Sequence, residues 1–156
     1  MTPLRLMFRL ALLVGAVPLA AQGRPLTVSG VRGLTFGAVL PGVPRVVLRT
    51  DPANSGQFNI TGNKLNQVRL TFTLPAVMTG PAGATMPLTF GGSDAGYSDT
   101  QSITSQVAFD PKQSFLATLN KKGRGSVFIG STARPSTSQR AGPYTGTLTL
   151  TVAYFP

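Results

Sequence analysis

Apolar and polar side chains alternate most regularly at the end of the chain. Tyr144, Leu148, Leu150, Val152 and Tyr154 fall on one side of the run, and Thr145, Thr147, Thr149 and Thr151 on the other. Side chains of a strand point to opposite faces with period two, so this stretch predicts one strand with an apolar face and a hydroxylated face. Thr and Val suit a pleated, half-buried surface, and Gly142-Pro143 supplies the preceding turn. Gly146 is the one gap in the apolar row. At roughly eleven residues the strand would be about twice the usual length. Two placements fit the pattern: an interior strand flanked by this chain on both sides, or an edge completed by another subunit.

Other runs repeat the pattern on a shorter scale. Leu26 and Val28 alternate with Thr27 and Ser29, and Leu34 to Leu40 places Leu34, Phe36 and Leu40 together before Pro41-Gly42. Arg45 to Arg49 and Gln57 to Thr61 follow, the latter with Phe58 and Ile60 inward. Gln67 to Leu74 sets Val68, Leu70, Phe72 and Leu74 against Arg69, Thr71 and Thr73, and Pro75 ends it. Met86 to Phe90, Ile103 to Phe109, Phe115 to Leu119 and Ser126 to Ile129 complete the predicted strands. Gly91 to Asp99 reads as loop, Asn120 to Gly125 as the link of a hairpin, and Ala133 to Ala141 as a connector. No apolar period of 3.6 persists outside the N-terminus. About 8–10 short strands, with turn signals every eight to twelve residues or so, predict an all-β antiparallel sandwich.

Composition changes this picture at the N-terminus. Arg5 and Arg9 precede a ten-residue apolar run, Leu10 to Leu19, and Ala20-Ala21-Gln22 offers small residues for cleavage. A membrane-spanning helix needs about 20 apolar residues. The segment therefore predicts a cleaved secretory signal over residues 1–22, followed by one domain over 23–156 with no membrane span. The expected location is the periplasm, cell surface or exterior. No Cys stands near the cut, so no lipid anchor is expected there, and no disulfide is possible anywhere. The core must supply all the stability.

The residues for ordinary catalysis are scarce. His, Cys and Glu are absent, and the four Asp each sit beside a turn-forming residue. General acid–base or nucleophilic chemistry needs a group titrating near neutral pH. The sequence predicts no catalytic residue, no cofactor and no metal site. Asp94 and Asp99, with Ser93 and Ser98, could offer hard oxygens to calcium, but the twelve-residue ligand spacing and its Glu are missing, so a turn is expected. Fourteen Lys and Arg against four Asp leave the chain strongly basic, about +8 once Arg5 and Arg9 are removed with the signal. Lys121, Lys122 and Arg124 cluster at one turn, without the stacking aromatics or reading helix of a nucleic-acid binder. They read as a solvated tip that can also meet an anionic polymer or cell surface.

Several stretches carry a family resemblance. Leu34-Thr-Phe-Gly-Ala-Val-Leu-Pro-Gly42, Phe58-Asn-Ile-Thr-Gly62, Leu70-Thr-Phe-Thr-Leu-Pro75 and the closing Gly142 to Tyr154 run resemble a family of small exported bacterial β-proteins known as a domain of unknown function. The closing run also resembles the end of spore coat protein U and of chaperone–usher pilins. That second likeness implies an incomplete immunoglobulin-like sandwich whose last strand borders a groove filled by a neighbour's N-terminal extension. On this chain, Tyr144, Leu148, Leu150, Val152 and Tyr154 would line the groove. Leu26 and Val28 would belong to the donor, which has fewer alternating apolar residues than a pilin's. The implied partners are copies of the chain or a related subunit, and a periplasmic chaperone. The sequence thus predicts an exported, non-catalytic structural or surface-interaction protein. The alternative is a monomeric secreted module that contacts an anionic polymer through Lys121, Lys122 and Arg124.

Overall fold

The computed structural model describes residues 23–156; the signal segment read over residues 1–22 lies outside them. Twelve strands alternate with turns: β1 (Thr27–Arg32), β2 (Arg45–Val47), β3 (Gly56–Thr61), β4 (Gln67–Thr73), β5 (Val77–Thr79), β6 (Thr85–Thr89), β7 (Ala95–Ser98), β8 (Val107–Phe109), β9 (Phe115–Thr118), β10 (Arg124–Ile129), β11 (Ser131–Ala133) and β12 (Thr149–Tyr154). A single 3-10 turn, Pro81–Gly83, is the one helical element among the described residues. No described helix is long and apolar enough to cross a membrane.

All pairings are antiparallel. A five-stranded sheet ordered β1-β3-β10-β7-β8 faces a three-stranded sheet ordered β12-β4-β9. A four-stranded sheet, β2-β11-β6-β5, extends the sandwich; β10 runs into β11 through Gly130, and β4 reaches β5 past Pro75. The main core lies between the first two sheets. Ile60, Val127, Ile129 and Tyr97 come from one side, Val68, Leu70, Phe72 and Leu150 from the other. A smaller core under the third sheet gathers Phe36, Val47, Met78, Met86 and Ala133. The fold is the all-β sandwich that the alternation predicts.

Strand β4 shows why the pattern works. Val68, Leu70 and Phe72 are buried and Arg69, Thr71 and Thr73 exposed, as period two requires. An aromatic ladder crosses the core from Phe58 through Phe72, Phe109 and Phe115 to Tyr97, with Phe109 and Phe115 stacked at 4.4 Å. The Tyr97 hydroxyl donates to the Thr118 carbonyl at 2.6 Å, tying β7 of one sheet to the end of β9 in the other. Burial, with the Asp99 charge as a lesser cause, pushes the Tyr97 phenol up to about 12. An unfolded chain would ionise that phenol near pH 10. Between those values the unfolded state binds fewer protons, so stability is complete below pH 10 and falls as pH rises toward 12. A thermal-melt series in that range should show the decline, and Tyr97→Phe should flatten it.

Five expectations are corrected, the first being Ile103 to Phe109, of which only Val107–Phe109 is strand. Leu34 to Leu40 forms no strand; Phe36 turns into the smaller core while Leu40 stays exposed. Ala95–Ser98, inside the expected loop, is the fully buried strand β7. Its Ala, Gly and Ser carry no strand signal, and the small Gly96 is what lets the Arg49 and Gln106 side chains lie across it. Asn120 to Gly125 does not close a hairpin, because β9 pairs with β4 and β10 with β3 and β7; the turn carries the chain from one sheet to the other. The closing strand has six residues, Thr149–Tyr154, not eleven. Its register on β4 pairs Thr149 with Thr73, so Thr147 would next meet Pro75, which has no N–H to give.

Candidate functional site

The closing segment still faces as predicted. Leu150 is buried, Leu148, Val152 and Tyr154 pack against the main core, and Tyr144 packs against the smaller one. Thr145, Thr147, Thr149 and Thr151 are exposed. Strand β12 is an edge: β4 holds one side, and among the described residues no strand pairs with the other. Strand β1, which carries Val28, is likewise an edge, paired with β3 alone in the same chain. Five of its six residues are exposed, Val28 among them, while Leu26 just before it packs on the main core.

These two open edges lie along the same flank. Tyr154 pins them together at one end, its hydroxyl donating to the Arg24 carbonyl at 2.9 Å and accepting from the Asn63 N–H at 2.7 Å. At the other end the edges part. A groove of about 410 Å³ opens between Arg32–Leu34 and Thr145–Leu148, floored by Phe58, Phe90, Met78 and Ile129. Tyr144 is its end wall, and beyond that wall a second depression of about 560 Å³ reaches Phe36, Met86 and Pro143. The wall is fixed: the Tyr144 hydroxyl donates to the Arg140 carbonyl at 2.8 Å and accepts from Gln139 Nε2 at 2.6 Å. Its ring lies so close to Gly80 that any Cβ there would collide with it. The segment is also tied by Thr145, which exchanges backbone hydrogen bonds with Thr79 at 2.8 and 3.0 Å.

Of the sequence-predicted lining, the structure brings Tyr144 and Leu148 to the groove. Leu150, Val152 and Tyr154 lie further along the same face, over the main core. The remaining walls come from Arg32–Leu34, Phe58 and Phe90, three separate regions with no shared sequence signal. Leu26 and Val28 sit in or beside the chain's own β1.

The basic cluster is exposed at the pole where Tyr154 pins the strands. Lys121, Lys122 and Arg124 surround Gly123 on a turn closed by the Asn120 side chain, which accepts from the N–H groups of Lys122 and Arg124. Asp94 and Asp99 are not brought together. They stand at opposite ends of β7, and Asp94 closes its own turn by accepting from the Gly91 N–H at 2.6 Å. Among the described residues no three His, Cys, Asp or Glu side chains converge.

No curated protein sequence matches the chain. A family model described as "Domain of unknown function (DUF4402)" matches residues 37–154. That span takes in every strand from β2 to β12 and leaves out β1. The chain belongs to the DUF4402 family.

Proposed function

We propose that this is an exported, non-catalytic interaction protein that assembles by strand addition, in the manner of a pilin-like subunit with an incomplete immunoglobulin-like sandwich. One observation carries the reading: an apolar groove opens between Arg32–Leu34 and Thr145–Leu148, where β1 ends and β12 is about to begin, and each of those strands is paired on one side only. An added strand there would gain main-chain hydrogen bonds from an edge and pockets for alternate side chains. An apolar edge left bare is a template for aggregation. The occupant is the N-terminal segment of a second copy, with Leu26 and Val28 as its apolar side chains. Strand β1 suits that part, since it is held on one side only and buries little of its surface.

The absence of Cys makes the test clean. Chains carrying Val28→Cys and chains carrying Thr147→Cys are mixed and oxidised. The expected product is a disulfide-bonded pair of unlike chains, inhibited by a synthetic peptide of residues 24–32. A monomer at every concentration, with no mixed disulfide, overturns the proposal. It would favour the second reading, a monomeric module for an anionic polymer, which rests on the charge gathered at the Tyr154 pole.

A further inference from the structure

Two cations that the sequence leaves scattered join the basic turn at that pole. The Arg24 N–H donates to Asn63 Oδ1 at 2.6 Å, and its guanidinium reaches the Lys122 carbonyl at 3.4 Å. Lys64 follows Asn63 on a turn that docks on the basic one, with the Leu65 N–H donating to the Asn120 carbonyl at 3.3 Å and Gly62 to Gly123 at 2.8 Å. Arg24, Lys64, Lys121, Lys122 and Arg124 are all exposed there, and of the four Asp side chains only Asp99 stands near them. The other three Asp lie at the far end of the five-stranded sheet, beside the ends of β3, β7 and β8.

An apolar side chain lies beside these charges. Leu65 is 60% exposed, and its backbone is left-handed at φ 59°. That conformation is uncommon for a bulky residue and costs about 1–2 kcal/mol against Asn or Gly. Lys121, Lys122 and Leu65 border the same shallow depression. Leu40 and Leu48 are as exposed elsewhere, so what sets Leu65 apart is its left-handed backbone beside the lysines, and a soluble polyanion, met by the cations alone, makes no use of it. A lipid surface accounts for both, the cations meeting anionic headgroups and the leucine entering the acyl boundary.

We propose that the Arg24–Lys64–Lys121–Lys122–Arg124 pole, with Leu65 beside its lysines, docks on an anionic lipid surface. The test is sedimentation of the purified chain with vesicles of phosphatidylcholine alone or with about a third phosphatidylglycerol. Binding is expected to the mixed vesicles only, and to weaken as salt shortens the Debye length. Each cation near such a surface is worth about fivefold in partitioning, so Lys121→Ala with Lys122→Ala should lose about 25-fold. Leu65→Asn keeps the left-handed turn, so the melting temperature should hold or rise while partitioning drops about tenfold. Lys112→Ala, at the other end of the molecule, should change nothing. Equal binding to both vesicle types, or no binding, overturns the proposal. So does a loss in the lysine pair without one in Leu65→Asn, which would identify a surface for soluble polyanions instead.

Discussion

Leu150→Asp is expected to yield no soluble folded protein, whereas Thr149→Asp, one residue earlier, should express and melt like the parent. Leu150 is 8% exposed, sits in the main core, and pairs with Phe72 across to β4. A carboxylate there has no cation among the core residues around it. Removing a charge from water without a partner costs several kcal/mol even after relaxation. A domain of this size has about 5–15 kcal/mol in all, and losing the leucine's own burial takes about 2–5 more. Thr149 faces solvent on the same strand and pairs with the exposed Thr73, so its replacement stays within about 0.5 kcal/mol. Soluble yield and a thermal melt of the two variants decide the matter. Similar behaviour in both would contradict this facing of the strand.

The second large effect is expected at Gly123. Its φ is +71°, and a Cβ added there would overlap the Gly62 carbonyl oxygen, a backbone atom with nowhere to go. Gly123→Ala meets the left-handed penalty of about 1–2 kcal/mol. It also forces apart two turns joined by the 2.8 Å bond from the Gly62 N–H to the Gly123 carbonyl, worth about 1 kcal/mol. Together that is about 3 kcal/mol, or a melting temperature lower by about 10 °C. Gly83→Ala is the internal comparison. Its φ is +74°, but a Cβ there meets open space. It should show the conformational penalty alone, about a half to two-thirds of the Gly123 effect.

How far the sequence reached follows from which forces act locally. The two best alternations, at β4 and β12, gave their facing correctly, because a strand with one buried face must repeat with period two. The length of β12 was misread for a non-local reason: Pro75, some seventy residues earlier, ends the partner strand. Strand β7 was invisible because Ala95-Gly96-Tyr97-Ser98 owes its strand form to β10 and β8 on either side rather than to propensity. The expected hairpin failed on the same ground, since a six-residue link fits a crossover between sheets as well as a return within one. The groove was half legible. Tyr144 and Leu148 belong to the periodic run, but Phe58, Phe90 and Ile129 reach it through the sheet order. Arg24 and Lys64 could not have been joined to Lys121 from sequence, since only the docking of the two turns brings them near.

The contact of Tyr154 with Arg24 leaves the two described ends of the chain side by side. A circular permutant, with a short glycine–serine bridge from Pro156 to Gly23 and new ends opened in an exposed turn such as Gln113-Ser114, would therefore keep every sheet intact. On the proposed strand addition, such a tethered molecule would have no free N-terminal strand to lend. Added to the native protein, it would act as a terminator, accepting a neighbour while passing nothing onward.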